Sequence, residues 1–486
     1  MISLFQRCLI LVVVIAASTA ALAAEPPNII LMMGDDHGWD EVAYNGHPHL
    51  HTPVLDEMAA TGLRLDRFYS GHPSCSPTRG SFLTGRHPNR YGTFSPNWSM
   101  RPEEISIGHI MKQAGYRTGH FGKWHVGPVK LGSPTSPGAR GFDEWLSHDN
   151  FFELDPVLVR NGGAPRKYPG ESSEVVIDET IAFIDRAKKS AQPFLAVVWF
   201  GSPHEPYMGL PEDLALYDDL PTEYAEQTVK LTSTETGQAT THPLRDVLRE
   251  RYAEITAMDR AIGKLRDHLK SADLRENTFV LYFGDHGVPP SGDGATNPFR
   301  ELKGSVYDGG IRVPGVIEWP AKITRPRTSG LPTVTSDLLP TLAGLTGQPL
   351  PDRPIDGESL VPLLTQDMPT REKPIFFWQY DNSNEPSNQP EPYIDPALQQ
   401  GTTPLIKMMD GKYTRTFRNQ KHPVIHATDF SGSRAMVYDG YKLVVDGDDI
   451  AGTELFSLAD DPTESVNLAA RHPARTEAMR AKLHHW

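Results

Sequence analysis

Several apolar runs constrain the fold most strongly, because each looks like a buried strand and ends in a polar turn that contains glycine. A strand that is apolar on both faces must be covered on both faces, as in a largely parallel sheet with helices on either side. We therefore expect an α/β fold, in which a large, mostly parallel sheet is sandwiched by helices. The predicted strands are 28–33, 117–121, 194–200 and 278–283.

The stretch 244–269 predicts a long helix before the last of these strands. Its apolar side chains recur at spacings of three and four, which places them on one face of a helix. This stripe is explained by packing against the sheet, and we assign no chemistry to it. Its members are Leu248, Tyr252, Ile255, Met258, Ile262, Leu265 and Leu269.

Ionisable side chains follow every predicted strand. In open α/β sheets, ligands bind outside the carboxyl ends of the strands. Each of these residues alone is more often a solvated turn residue, but four segments that aim ionisable groups at one edge predict a functional site. In chain order they are Asp35 and Asp36, then Lys123 and His125, then His204, and finally Asp285 and His286.

Cys75 is the one cysteine left once residues 1–23 are set aside, because the chain has two and the other is Cys8. A lone thiol has no intramolecular disulfide partner, so it is either a small packing residue before a helix or a site of chemistry. It lies in Cys75-Ser76-Pro77-Thr78-Arg79. A helix that begins near Pro77 would turn Cys75 and Arg79 the same way, and its N-terminus would favour an anion.

The Cys-x-Pro-x-Arg motif and the following 80–86 segment resemble the signature of the type I sulfatases, the formylglycine-dependent, arylsulfatase-like enzymes of the alkaline phosphatase superfamily. Three further blocks match in order: Gly-Lys-x-His at 122–125, Pro-His at 203–204, and Lys303 ahead of Gly-Gly-x-Arg-Val-Pro at 309–314. The resemblance covers nearly all of the chain after residue 23. It implies that a formylglycine-generating enzyme converts Cys75 to Cα-formylglycine, whose hydrate is the nucleophile.

The resemblance also implies one Ca²⁺ per chain, with converted Cys75, Asp35, Asp36, Asp285 and His286 as its ligands. Carboxylates are hard oxygen donors that suit Ca²⁺ or Mg²⁺, and adjacent acids repel each other unless a cation or hydrogen bonds neutralise them. Many relatives have Asn where this chain has His286. An imidazole nitrogen is a softer donor than an amide oxygen, so calcium is expected but metal preference stays open.

The remaining catalytic roles also come from the resemblance. Arg79 and the metal would stabilise the hydrate, while Lys123 and Lys303 hold the sulfate oxygens. Asp285 would accept a proton during attack on sulfur.

Two histidines would complete the proton transfers. His204, with Lys303 nearby, would protonate the departing alcohol oxygen, and His125 would remove the proton of the second hydroxyl. These roles predict a sulfuric ester hydrolase.

Residues 1–23 predict a cleaved secretory signal, with Arg7 ahead of an apolar run at 9–17 and Ala-Leu-Ala at 21–23. An uncleaved anchor is the alternative. No later stretch has 18 consecutive apolar residues, so we expect no transmembrane segment after signal removal and an exported, periplasmic or extracellular protein. The net charge of −14 and the lack of a basic block argue against a nucleic-acid partner.

We predict a catalytic domain at 24–370 and a C-terminal subdomain at 371–486. The segments 436–445 and 454–458 predict short antiparallel strands, and the resemblance implies a four-stranded antiparallel sheet with a packed helix, an α+β arrangement. Residues 381–404 are rich in Pro, Asn, Gln and Ser, and are either a disordered surface loop or a wall of the substrate pocket.

The substrate follows only as an expectation from the family. Exported members most often remove sulfate from a sugar, which favours a sulfated glycan over a small aryl ester. Two alternatives stay open: a phosphonate or phosphate-ester hydrolase of the same superfamily, and a non-catalytic sulfated-glycan binding protein with unconverted Cys75. Candidate subsite residues, each also explained as a plain loop residue, are His47, His49, His51, His72, His148, Asp149, Asn150 and the 381–404 loop.

Overall fold

The structure, a computed structural model, describes residues 25–292, 296–379, 391–407, 413–421, 432–447 and 452–486. Its strands are β1 (Asn28–Gly34), β2 (Leu63–Leu65), β3 (Phe68–Tyr69), β4 (Arg117–Lys123), β5 (Glu144–His148), β6 (Val157–Arg160), β7 (Arg166–Lys167), β8 (Phe194–Trp199), β9 (Thr228–Thr232), β10 (Ala239–Pro243), β11 (Thr278–Gly284), β12 (Arg312–Val313), β13 (Gly315–Glu318), β14 (Arg327–Ser329), β15 (Thr333–Val334), β16 (Ile375–Trp378), β17 (Gln400–Pro404), β18 (Thr414–Thr416), β19 (Arg434–Tyr438), β20 (Tyr441–Val445) and β21 (Glu454–Ser457).

The helices are α1 (Pro53–Thr61), α2 (Cys75–Thr84), α3 (Pro88–Tyr91), α4 (Ile107–Gln113), α5 (Ser172–Lys189), α6 (Pro211–Leu214), α7 (Leu244–Ser271), α8 (Asp308–Ile311), α9 (Leu338–Thr346) and α10 (Pro473–His485). Among the described residues, none of these helices combines the length and the hydrophobicity that crossing a bilayer requires. The predicted signal at 1–23 lies outside the described residues.

A ten-stranded mixed sheet forms the centre of the fold, in the order β14-β2-β13-β11-β1-β8-β4-β5-β6-β7. Its middle strands, β11, β1, β8, β4 and β5, are parallel neighbours, and antiparallel strands extend it on both sides. The four strands predicted from sequence are β1, β4, β8 and β11, which lie next to one another. The predicted mostly parallel sheet is therefore confirmed.

Both faces of this sheet are buried, as continuously apolar strands require. Along β1, Ile29 and Leu31 face a core that includes residues of α2, α4 and α9. Ile30 and Met32 face the opposite core, which includes residues of α1, α5 and α7. The predicted helix at 244–269 is α7, and its apolar stripe is buried as expected. The part of the stripe from Met258 to Leu269 packs into the second core, whereas the part from Leu248 to Ile255 packs into a separate cluster with Leu50 and Tyr217.

Helix α2 begins earlier than the sequence motif suggests. Cys75 is its first residue, Ser74 precedes it in an extended conformation, and Pro77 is the third residue. Proline is tolerated there because the first N–H groups of a helix have no acceptor within the helix. Cys75 therefore lies at the helix N-terminus itself.

The C-terminal region carries the predicted four-stranded antiparallel sheet, in the order β16-β19-β20-β21. One face packs on α10 through Met436, Leu443, Met479 and other apolar residues. The other face packs on the catalytic region, where Phe377 lies in one core with Tyr69. The α+β arrangement is confirmed, whereas the boundary between residues 370 and 371 stays a prediction.

A buried ion-pair network joins the two regions. Lys442 of β20 donates to Asp308 Oδ1 at 2.8 Å and lies 2.7 Å from Glu464 Oε1. The N–H of Asp308 donates to Glu464 Oε2 at 2.7 Å. All three side chains are at most 1% exposed, so the ammonium of Lys442 compensates carboxylates that water does not reach.

We predict that Lys442→Met destabilises the protein by about 3–5 kcal/mol, because removing one partner leaves buried charge uncompensated. The measurement is the midpoint of urea-induced unfolding. Arg480→Ala is the control, because Arg480 forms an exposed pair with Glu477 within α10 and should change stability by less than about 0.5 kcal/mol. Equal midpoints for the two variants would show that the network does not hold the regions together.

Candidate active site

The ends of β1 and β11 place three carboxylates side by side. Gly34 lies beside Gly284 in the parallel register, so Asp35 and Asp285 leave the sheet as neighbours. The N–H of Asp285 donates to Gly34 O at 3.0 Å. The N–H of Asp36 donates to Asp285 Oδ1 at 2.8 Å. All three acids are almost completely buried, so their charges must be compensated within the protein.

Arg79 bridges two of these acids from helix α2. Its Nη2 donates to Asp35 Oδ1 and to Asp285 Oδ2, both at 3.0 Å. The guanidinium also lies over the ring of Trp199, 5.0 Å from the ring centroid. Because Cys75 and Arg79 are one helical turn apart, the same contacts bring the thiol to the carboxylates, as the motif predicts.

Two lysines complete the charge balance. Lys123, the last residue of β4, donates to Asp35 Oδ2 at 2.5 Å, and Lys303 donates to Asp36 Oδ1 at 2.6 Å. Burial would raise the pKa of Asp36, but His204, Lys303 and other positive neighbours hold it well below its ordinary value. Burial opposes the charge of Lys303, yet Asp36 and the other anions raise its pKa. Three carboxylates thus face three fixed cations.

His286 points one ring nitrogen into this cluster. Its Nε2 lies 3.2 Å from Cys75 Sγ, 3.3 Å from Asp36 Oδ1 and 3.4 Å from Asp285 Oδ1. Its Nδ1 lies 3.1 Å from the carbonyl oxygen of Gly287, which accepts its N–H. Burial disfavours the charged ring, but Asp285 and Cys75 outweigh it and raise the pKa of His286 to about 9.

The donor atoms in this cluster fit one hard cation. Two ligands that each lie about 2.4 Å from a Ca²⁺ ion can be no more than about 4.8 Å apart. Among the described residues, two groups of buried donor atoms meet that limit, each within 4.8 Å of one another: Asp35, Cys75, Asp285 and His286, and Asp36, Cys75 and His204. The backbone contact of His286 Nδ1 is the type of bond that orients a metal-ligating imidazole.

His204 stands on the other side of Asp36. Its Nε2 lies 3.8 Å from Asp36 Oδ2, and its Nδ1 donates to the carbonyl oxygen of Glu205 at 2.6 Å. The ring stacks on Phe151 with centroids 4.4 Å apart. Burial lowers the pKa of His204 well below its ordinary value, against the pull of the nearby acids.

His125 follows β4 and adopts a positive φ of 57°. Its Nε2 lies 2.8 Å from Asn97 Oδ1. Burial lowers its pKa well below the ordinary value, and the charges of Lys123, Arg415 and Arg79 lower it further. The imidazole is therefore neutral at neutral pH. With it, all ten sequence-predicted site residues lie at or beside this cluster, nine of them buried and Lys303 partly exposed.

Arg251 supports the backbone of the site from helix α7. The sequence analysis did not identify it. From α7 it pairs with both carboxylate oxygens of Glu41 at 2.6 Å. It also donates to the carbonyl oxygens of Asp36 and Pro203, both at 2.5 Å. Asp36 has a φ of 60°, an unusual conformation for a residue with a side chain, which these contacts hold. The sequence feature that could have indicated its role is the presence of an arginine within the apolar stripe, three residues after Leu248.

Asp149, one of the candidate subsite residues, fastens a distant strand. Its Oδ2 accepts the N–H groups of Thr402 and Thr403 at 2.7 and 2.8 Å, and its Oδ1 accepts that of Val129 at 2.8 Å. A Cβ on Gly401 would lie 2.5 Å from Asp149 Oδ2, so only glycine permits this approach. The end of the predicted 381–404 loop, as β17, thus packs against the catalytic region. Residues 380–390 lie outside the described part of the chain.

The other subsite candidates have structural contacts. His72 Nδ1 lies 2.8 Å from Ser74 Oγ, and His148 Nδ1 accepts the N–H of Asn150 at 2.9 Å. Burial lowers the pKa of both rings to about 3. The three remaining histidines pack on tyrosines in the pairs His47 with Tyr252, His49 with Tyr224, and His51 with Tyr217. These contacts explain the residues without a substrate.

Comparison with known proteins decides the family. The sulfatase family model matches residues 27–348, well over half of the chain. The chain belongs to the sulfatase family. It is 30% identical over 391 residues to N-acetylgalactosamine-6-sulfatase of Canis lupus familiaris, which covers 71% of this chain and 67% of the relative. It is 31% identical over 337 residues to an ulvan-active sulfatase of Formosa agariphila, covering 68% and 64%.

A solved structure shares the whole fold. The crystal structure of Ps i-CgsB in complex with k-i-k-neocarrahexaose matches this sulfatase with a TM-score of 0.75 at 22% identity, and covers 95% of this chain and 93% of that chain. Family membership makes the protein a sulfuric ester hydrolase. The predicted family and reaction class are confirmed.

A pair of buried glutamates lies beside the site and does no assigned chemistry. Glu153 and Glu254 are both buried and their carboxyl groups interact with each other, and Glu254 accepts the N–H of Met208 at 2.5 Å. Burial raises the pKa of Glu254 to about 8. Burial and the charges of Glu254, Glu171 and Asp35 raise the pKa of Glu153 well above its ordinary value. The pair therefore keeps a proton at neutral pH.

Because this pair titrates on a shifted scale in the folded protein, we predict that the free energy of unfolding depends on pH. When the pKa of a carboxyl group rises on folding, its contribution to stability is complete at pH values below its unfolded pKa of about 4.5. That contribution is lost as the pH rises towards 8, at a rate of up to about 1.4 kcal/mol per pH unit. Glu254→Gln keeps the acceptor for Met208 but removes the titration. It should unfold at a higher urea concentration than the wild type at pH 8, with a smaller difference at pH 5.5.

Glu250→Gln is the matched control for this prediction. Glu250 lies one turn earlier on α7 and accepts the N–H of Gly209 at 2.7 Å. Its replacement should leave the pH dependence unchanged. If Glu254→Gln kept the full wild-type slope between pH 5.5 and 8, the shared proton would not be located in this pair.

Proposed function

We propose that this sulfatase hydrolyses sulfate monoesters on carbohydrates, with a nucleophile derived from Cys75. The observation that carries the proposal is the position of the Cys75 thiol: it begins a helix and lies 3.2 Å from His286, among buried acids and cations. A packing cysteine would have apolar neighbours. The relatives supply the substrate class, because their names refer to N-acetylgalactosamine, ulvan and a neocarrahexaose.

Maturation and metal binding are parts of the proposal. Cys75 would be oxidised by a formylglycine-generating enzyme, and the aldehyde hydrate would supply a hydroxyl nucleophile together with a second hydroxyl for release. The ion, Ca²⁺, would be held by Asp35, Asp36, Asp285, His286 and position 75, and would supply positive charge beside the sulfate. Protonated His286 must lose its Nε2 proton to act as a ligand.

The fixed cations would bind and align the sulfate group. Lys123 and Lys303 each donate to a carboxylate at one end of the cluster, so their remaining N–H groups are positioned for sulfate oxygens. Arg79 is held by two carboxylates and contacts no solvent, so its charge acts on position 75 without conformational rearrangement. Because the net charge of the chain is −14, attraction of an anionic substrate depends on these local cations.

The pKa values of Asp285, His204 and His125 support the proposed proton-transfer roles. Asp285 is ionised, because His286 and Arg79 outweigh burial and lower its pKa, so it can accept a proton from the attacking hydroxyl. His204 is neutral in the free site. A bound sulfate would raise its pKa by placing negative charge beside it, which suits it to protonate the leaving oxygen. Neutral His125 can then take the proton of the second hydroxyl.

The signal at 1–23 supports export to the periplasm or the extracellular space, where sulfated polysaccharides are accessible. The partners we propose are therefore a sulfated glycan and, during maturation, the formylglycine-generating enzyme.

The deciding experiment is a panel assay of inorganic sulfate release by the purified full chain. We expect release from defined sulfated mono- and oligosaccharides, loss of release with a calcium chelator, and recovery with Ca²⁺. An aryl sulfate, a phosphate diester and a phosphonate test the alternatives in the same buffer. A preference for the phosphorus esters would overturn the assignment. The mass of the 71–86 peptide reports conversion, which makes it about 18 Da lighter than the thiol form.

We also predict that Cys75→Ser traps sulfate. A serine hydroxyl can attack sulfur, but the resulting ester lacks the second hydroxyl that releases sulfate, so the variant should gain about 80 Da and not turn over. Intact mass spectrometry after incubation with substrate measures this gain. Cys75→Ala is the control and should gain no mass. Multiple turnovers by the serine variant would contradict the double-hydroxyl mechanism.

A further inference from the structure

The segment around β18 reaches the active site through Asn97. The backbone of Asn97 is held from two sides: its N–H donates to Ser76 Oγ at 3.1 Å, and its carbonyl oxygen accepts the N–H of Arg418 at 3.1 Å. The residue has a φ of 73°, an unusual conformation for a residue with a side chain, which these two backbone bonds hold. Its Oδ1 accepts from Arg415 Nη1 and contacts His125 Nε2 at 2.8 Å.

These contacts determine the tautomer of His125. Arginine has only donors, so the atom of Asn97 that faces Arg415 must be the amide oxygen. That oxygen also faces His125 Nε2, so Nε2 must carry the proton. Nδ1 then holds a lone pair. Among the described residues Nδ1 is buried without a hydrogen-bond partner, so no protein group occupies that lone pair.

We propose that Arg415 is a positioning residue that acts through Asn97 to keep the Nδ1 lone pair of His125 available as the base for sulfate release. This inference rests on the proposed function, in which His125 removes the hydroxyl proton at position 75. The proton moves to Nδ1, the carbonyl re-forms, and the carbon–oxygen bond to sulfate breaks with its electrons leaving on sulfate. A lone pair on Nδ1 is needed for this step, and the opposite tautomer would supply an N–H instead.

The electrostatic surroundings support the same role. Burial lowers the pKa of His125, and so do the charges of Lys123 of β4, Arg415 of β18, Arg79 of α2 and His204. Arg415 therefore contributes in two ways: its donor geometry fixes which nitrogen is protonated, and its charge disfavours a second proton. An alternative role, direct binding of an anionic group of the substrate by Arg415, predicts different results below.

The first test reads the tautomer without substrate. Histidine-selective ¹⁵N labelling of the full chain, with the His125 signals assigned by their loss in His125→Gln, distinguishes a protonated Nε2 from a protonated Nδ1. The wild type should show protonated Nε2. In Arg415→Met the amide of Asn97 is free to turn its NH₂ towards Nε2, so the Nδ1–H form should appear. Arg415→Lys keeps a donor-only cation and should restore the wild-type spectrum.

Asn97→Asp and Arg418→Met complete the series. A carboxylate at 97 accepts from both neighbours, so the Nε2–H form should persist while the His125 titration moves to higher pH. Arg418 lies over the ring of Trp98, so Arg418→Met removes a cation from the same segment and should leave the tautomer unchanged. An unchanged His125 spectrum in Arg415→Met would overturn the inference, whether or not a substrate is known.

The second test separates positioning from substrate binding. A general base contributes roughly 10²–10⁴-fold to the rate. If Arg415 acts through His125, Arg415→Met should remove part of this contribution from kcat and leave KM nearly unchanged. Arg415→Lys should recover most of kcat. A raised KM with unchanged kcat would assign Arg415 to substrate binding and reject the positioning role. Failure of the whole proposed function would instead appear as absence of sulfate release in the wild type, while the spectra still test the tautomer.

Discussion

Burial of three carboxylates at the ends of two adjacent strands is the constraint on which the rest of this site depends. Parallel pairing of β1 and β11 brings Asp35 and Asp285 together even though both side chains are acidic. A buried carboxylate without a compensating charge does not remain ionised, because its desolvation costs too much free energy. The guanidinium of Arg79 offsets this cost, because it bridges both carboxylates from helix α2. The same bridge holds Cys75 beside the acids, because Cys75 lies one helical turn before Arg79 on α2.

The charge balance also bears on the proposed metal site. Arg79, Lys123 and Lys303 match three carboxylates, and protonated His286 adds a further positive charge. In the proposed calcium site, the proton on His286 Nε2, which lies 3.3 Å from Asp36 and 3.4 Å from Asp285, would have to leave before that nitrogen could bind the ion. An asparagine at this position has no such proton, so the proposed binding of Ca²⁺ by this chain would release a proton that an asparagine could not supply.

Local motifs carried most of what the sequence could predict. The four central strands, helix α7, the Cys-x-Pro-x-Arg turn and the ionisable residues after each strand are all encoded within short stretches, and parallel strands bring their carboxyl ends to one edge. The contacts that were missed act across long sequence separations. Arg251 supports Asp36 across 215 positions, and Asp149 binds Thr403 across 254. No periodicity or motif links such partners, so only the fold reveals them.

Asp149 shows how a candidate subsite residue can serve the structure. Its carboxylate accepts three backbone N–H groups and the hydroxyl of Thr403, and the strand it fastens, β17, pairs with β18, which carries Arg415. Arg415 in turn fixes Asn97, and Asn97 fixes the ring of His125. The region after residue 370 therefore contributes to the site indirectly. Its four-stranded sheet is joined to the catalytic region through Lys442, and its strand β18 contacts Asn97, which in turn contacts His125.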